Sequence, residues 1–121
     1  MSNSTSNDNT RPTLTNFEAQ PVADAAIAAN VSELQQGWDQ RDADISDRHL
    51  AADVAWGSPY GATVYDYEPL HAIHTRLKKQ GAGGAASRYE IIRAFAVSDD
   101  VIVAHVARYA IDPEGQPLKP S

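Results

Sequence analysis

Residues 87–111, SRYEIIRAFAVSDDVIVAHVARYAI, decide the fold. Tyr89, Ile91, Arg93, Phe95 and Val97 alternate with Arg88, Glu90 and Ile92, the period of a half-buried strand. Asp99 and Asp100 mark a turn, and Val101 to Ile111 is a second β-rich run, so the stretch predicts a hairpin. Just beyond it, Asp112-Pro113-Glu114-Gly115 has Asp, Pro and Gly where a type I turn wants them, and such a turn expects a return strand.

Upstream the period changes. Ile27, Val31, Leu34 and Trp38 share one face of a helix predicted over Val22 to Arg41, with Pro21 in its first turn. Asp44 reads as the cap of a short helix running to Leu50. Residues 53–59 read as a short strand stopped by Gly57 and Pro59. Tyr65 to Gln80 reads as a helix with Leu70, Ile73, His74 and Leu77 on one side and Lys78 and Lys79 in its last turn. Gly81 to Gly84 reads as its C-cap and a linker, since no Lys-Ser/Thr follows to make a phosphate loop. Residues 1–20, rich in Ser, Thr and Asn, read as a disordered tail, and residues 21–121 as one domain. The order of elements predicts an α+β fold, a curved antiparallel sheet with helices on one side.

The 121 residues, 42% hydrophobic and 21% charged, suffice for one domain with a core. A net charge of −6 argues against a nucleic-acid partner. No apolar run approaches the ~20 residues that span a bilayer. The absence of cysteine excludes disulfides and thiolate chemistry. The first residues lack the basic start and apolar core of a signal peptide, so the expected location is the cytoplasm.

Trp38 and Asp42, the run ADVAWGSPYGATV at 52–64, and Leu70-His71-Ala72-Ile73-His74 together resemble the SnoaL-like part of the NTF2-like superfamily, and within it the SgcJ/EcaC group tied to polyketide biosynthesis. Asp66 stands where that group tends to carry Gly. The resemblance implies a cone, long helices packed on a curved sheet around a pocket. Members of the group continue past the turn at Gly115 with two more long strands, so it also implies a domain incomplete at its C-terminus. In ketosteroid isomerase, an enzyme of this fold, the base is an Asp before a Pro and the donor a Tyr on the first helix. The matching positions here are Ser58 and Leu34, which supply neither base nor donor.

The candidate catalytic residues are therefore His74 and Tyr60. His74 shares the apolar side of its helix with Leu70 and Leu77, where it is either an acid–base group reaching a pocket or a satisfied half-buried imidazole. His71 and His74 have the i, i+3 spacing of a metal pair, but no third ligand stands near them, and no metal is expected. Trp38, Trp56, Tyr60, Tyr89 and Tyr109 are candidates for an aromatic lining, with core packing as the alternative. Arg93, on the apolar face of its strand, either pairs with an acid such as Asp39 or Asp53 or holds an anionic ligand group. His105 lines the cavity or sits in a subunit contact, and Ser58 completes the candidate pocket. The aspartates from Asp39 to Asp53 read mostly as caps and surface. The expected function is the binding or transformation of a polyketide-like, largely apolar small molecule without a cofactor. The alternative is a non-catalytic association module, and in either case a homodimer is expected.

Overall fold

The computed structural model describes residues 11–58, 61–79 and 86–118. In chain order these form α1 (Gln20–Asp39), α2 (Ala43–Ser46), β1 (Ala55–Gly57), β2 (Thr63–Tyr65), α3 (Tyr67–Lys79), β3 (Ser87–Ala96) and β4 (Ile102–Ala110). The protein is α+β, but its strands form two separate antiparallel pairs, β1–β2 and β3–β4, in place of one curved sheet. The short strand at Trp56 finds its partner at once, in Thr63–Tyr65, where the sequence pattern leaves Thr63 and Val64 unassigned and starts the helix two residues early, at Tyr65. The Ser58 N–H donates to the Ala62 carbonyl (2.8 Å) and closes the turn between them.

The long helix is anchored before it begins. The Asn16 N–H donates to the Ala96 carbonyl (2.7 Å), the Asn16 side chain accepts from the Ala19 N–H (3.1 Å), and Ala19, Ala23 and Ala96 form a buried cluster. Order therefore starts ahead of Pro21, because three small residues let helix and strand approach closely. The expected tail divides: residues 1–10 lie outside the described residues, and Asn16 to Ala19 is tied to β3.

Two glutamines then fix α1 along the edge of β3 that β4 leaves open. Gln20 donates to the Ala94 carbonyl (3.0 Å) and accepts from the Ala96 N–H (3.0 Å). Gln35 donates to the Ser87 carbonyl (2.8 Å) and accepts from the Tyr89 N–H (2.8 Å). A primary amide carries the donor and acceptor of a peptide group, so each glutamine pairs with the strand as a neighbouring strand would. Fifteen helical positions span about 22 Å and seven strand positions about 23 Å, so both clamps close at once on an antiparallel helix and strand.

The β3–β4 register contains a bulge. Ile91 pairs with Val106 and Arg93 with His105, leaving Ile92 unopposed. Consecutive residues on β4 point to opposite faces, so Arg93 lies on the other face from Tyr89 and Ile91. The regular alternation expected from the sequence thus breaks at Ile92. Past β4 the predicted turn forms: the Gly115 N–H donates to the Asp112 carbonyl (2.9 Å), with Gly115 at φ +84°. The return begins with a bridge between Ile111 and Pro117.

Helix α2 is capped by Asp42, whose side chain accepts from the Asp44 N–H (2.9 Å), and it ends at Ser46, short of the expected Leu50. It crosses α1 at Gly37, which is buried. A methyl group there would lie 2.6 Å from Ser46 Cβ and 2.7 Å from the Ser46 nitrogen, so only glycine admits the crossing.

Two outcomes are expected. Gln35→Leu strands one donor and one acceptor of β3 and should lower unfolding free energy by about 2 kcal/mol in urea titration. Gly37→Ala should cost about 1–3 kcal/mol by overpacking and alter the near-ultraviolet circular dichroism of the tryptophans, because it displaces the Ser46–Asp47 segment.

Candidate functional site

Six elements meet around one cavity of about 310 Å³, near the lower end of the size common for ligand sites. Leu34 and Trp38 come from α1, Trp56 from β1, His74, Leu77 and Lys78 from α3, Tyr89 from β3 and Arg108 from β4. Ser46 and Asp47, at the end of α2, complete the wall.

At its base sits a carboxylate–imidazole pair. His74 Nδ1 lies 3.0 and 2.9 Å from the two Asp47 oxygens. The Asp47 side chain is 3% exposed and that of His74 15%. Burial alone would raise the Asp47 carboxyl, but the His74 hydrogen bond and charge, the Ser46 hydroxyl (3.1 Å) and Lys78 outweigh it and hold it below its ordinary value. A carboxylate on Nδ1 fixes the ring's orientation and tautomer and leaves Nε2 outside that contact. Trp56 stands edge-on to the imidazole, ring centres 5.0 Å apart.

Cations surround Trp38, and one of them, Lys78, stands one helical turn beyond His74 on α3. Arg108 and Arg41 lie 4.5 and 4.7 Å from the centre of the Trp38 ring, and Lys78 lies 5.9 Å from it. Trp38 Nε1 is buried without a hydrogen-bond partner among the described residues, so the ring is held by its face. Arg108 also donates to the Ser87 hydroxyl (2.9 Å). Burial lowers the Lys78 amine; Asp47 opposes that shift, while Arg108 and Arg41 add to it. Burial raises the Tyr89 phenol, against Arg108 and with Asp47.

The structure brings together four of the residues singled out by sequence: His74, Trp38, Trp56 and Tyr89. Tyr60 lies outside the described residues. Ser58 belongs instead to the β1–β2 turn, where its hydroxyl accepts from the Ala62 N–H (3.3 Å). Arg93, His105 and Tyr109 are corrected by the register: Tyr89 pairs with Arg108, so His105 and Tyr109 lie on the other sheet face by alternation, and the bulge puts Arg93 there too. Arg93 pairs with neither Asp39 nor Asp53 but lies over the Phe95 ring at 5.4 Å. His105 is exposed. The spaced histidines split between two acids, His71 Nε2 to Asp44 (2.7 Å) and His74 to Asp47. Among the described residues no group of three His, Asp or Glu side chains could hold a metal ion.

Sequence reasoning missed Asp47, Arg108 and Lys78 as site residues. Asp47 reads as one more surface aspartate, and Arg108 stands on the pocket face where Arg93 was expected. The signal for Asp47 was present in the spacing: Asp44 and Asp47 repeat the i, i+3 step of His71 and His74.

These features define an α+β protein whose pocket holds a buttressed histidine against Trp56, with Trp38 in the same lining. The chain matches no protein-family model, no curated protein and no solved structure. Among the described residues no helix is long and apolar enough to cross a membrane.

The Asp47 shift carries a sign. A carboxylate held below its ordinary 3.8 stabilises the fold fully above that value and loses the contribution as pH falls through its lower folded value. Asp47→Asn should therefore destabilise the protein at neutral pH and flatten the fall in stability below about pH 4, read by urea unfolding across that range.

Proposed function

We propose that the protein is a cofactor-independent, SnoaL-like small-molecule protein of the cytoplasm, with an NTF2-like pocket. It binds a flat, largely apolar polyketide-like compound and moves a proton on it. The observation that carries this reading is the Asp47–His74 pair in a cavity walled by Trp38 and Trp56. Nδ1 is occupied by the carboxylate, so Nε2 serves as base and returns the proton as acid. Leu34, Trp56 and Leu77 supply apolar surface for a planar ligand, and water around it is displaced.

One further point supports the family reading. Asp66 has φ +76°, a conformation that favours glycine, at the position where the resembled group carries Gly. A second reading, a non-catalytic module that self-associates through the sheet, draws on Ile92, Val101 and Val103, which are 52%, 49% and 47% exposed.

The test is hydrogen–deuterium exchange at the carbon next to the carbonyl of 2-tetralone, a planar two-ring ketone, followed by NMR. The protein should accelerate exchange, and His74→Gln should remove at least about tenfold of that acceleration. Both tryptophans of the chain line the pocket, so binding should also shift the intrinsic fluorescence. Protein that neither binds nor exchanges the ketone, yet is dimeric by light scattering, would replace this reading with the second.

A further inference from the structure

We infer that the ligand of this pocket carries a carboxylate or an equivalent single anionic group, seated between Arg108 and Lys78 beside Trp38. The inference rests on the pocket reading above and names the chemical class of what the pocket takes.

The chain as a whole is acidic, with a net charge of −6, yet this cavity is not. Arg108 and Lys78 both line it, and Arg41 stands over the same tryptophan. Among the described residues the ion pairs are Arg48 and His49 with Glu33, His71 with Asp44, and His74 with Asp47, so neither Arg108 nor Lys78 has a carboxylate within 4.0 Å. Asp47, the acid in the pocket wall, is committed through both oxygens to His74. Arg108 has one hydrogen bond, to an uncharged hydroxyl. Solvent-exposed Arg108 and half-buried Lys78 thus stand at one pocket with no carboxylate within 4.0 Å, and Asp47 reaches Lys78 only at longer range.

The chemistry of the two groups suits a carboxylate. A guanidinium offers paired donors to both oxygens, and an ammonium adds a point charge. Both lie at the Trp38 ring, so an anion held by them places an attached planar skeleton alongside Trp38. Trp56 and His74 line the same cavity, so the rest of such a skeleton lies within it beside them. Burial of Lys78 and repulsion from Arg108 and Arg41 destabilise its charged form, and an arriving carboxylate relieves both effects.

Matched probes test this. 2-Naphthoate and 2-naphthamide share one planar skeleton and differ in charge, and their dissociation constants are read by calorimetry at low salt. The naphthoate should bind about tenfold more tightly, with the advantage shrinking as potassium chloride is added. Arg108→Gln and Lys78→Gln should each reduce the ratio of the naphthamide constant to the naphthoate constant, and Arg108→Lys should restore part of it. Unchanged far-ultraviolet circular dichroism certifies that each variant is folded. Equal affinity of the two probes for the unaltered protein, or an advantage that survives both substitutions, overturns the inference and leaves the pocket reading in place. Failure of both probes to bind removes the pocket reading, and the inference falls with it.

Discussion

Two side-chain amides hold the protein in shape. Gln20 and Gln35 each give one hydrogen bond to β3 and take one from it, on the edge that β4 leaves open. An unpaired strand edge invites association with other chains, and here a helix covers it with groups that imitate a strand. The clamp also fixes the position of everything further along α1. Trp38 follows Gln35 by one helical turn, so the contact at Ser87 and Tyr89 sets Trp38 opposite Tyr89 and Arg108. Gly37, between them, lets α2 press in and carry Asp47 to His74. A small cluster of alanines at the other end keeps the helix from pivoting.

Local periodicity made much of this order legible. The helix from Val22 onward, the helix ending in Lys78 and Lys79, the hairpin at 87–111 and the turn at Asp112 all follow from spacing within a few residues. What escaped was whatever depends on distant partners or on too few residues. The strand Thr63–Tyr65 is too short to show a period. The bulge at Ile92 has no Gly or Pro to mark it, and it is set by pairing with Val106 and His105. The glutamine contacts join residues 52 to 76 positions apart, a separation that no pattern along the chain reports.

The site follows the same division. His74, Trp38, Trp56 and Tyr89 were visible as polar or aromatic residues on apolar faces. Arg93 was visible on the same argument and is on the wrong face, because one unopposed residue reverses the alternation after Ile91. Arg108 pairs with Tyr89 across the sheet and so occupies the place that Arg93 would have held. Asp47 resembles its neighbours in sequence and differs from them in burial: the side chain of Asp44 is 82% exposed and that of Asp47 is 3% exposed. That difference arises where α2 meets α3, a junction between segments far apart in sequence.

The segment between those helices has a freedom that the rest of the molecule lacks. His71 reaches back 27 residues to Asp44, and His74 reaches back 27 to Asp47. The two pairs have one common offset, so a slip of α3 against α2 would break both together. Between them the chain makes an excursion that includes β1 and β2, whose residues are almost all solvent-exposed. The excursion is fastened at its base by polar contacts and contributes one large side chain, Trp56, to the cavity. Its sequence can therefore diverge, or be exchanged for another hairpin, without disturbing the clamped helix and sheet. Such a segment is a replaceable part, and it is where descendants of this chain would reshape the cavity while keeping the Asp47–His74 pair in place.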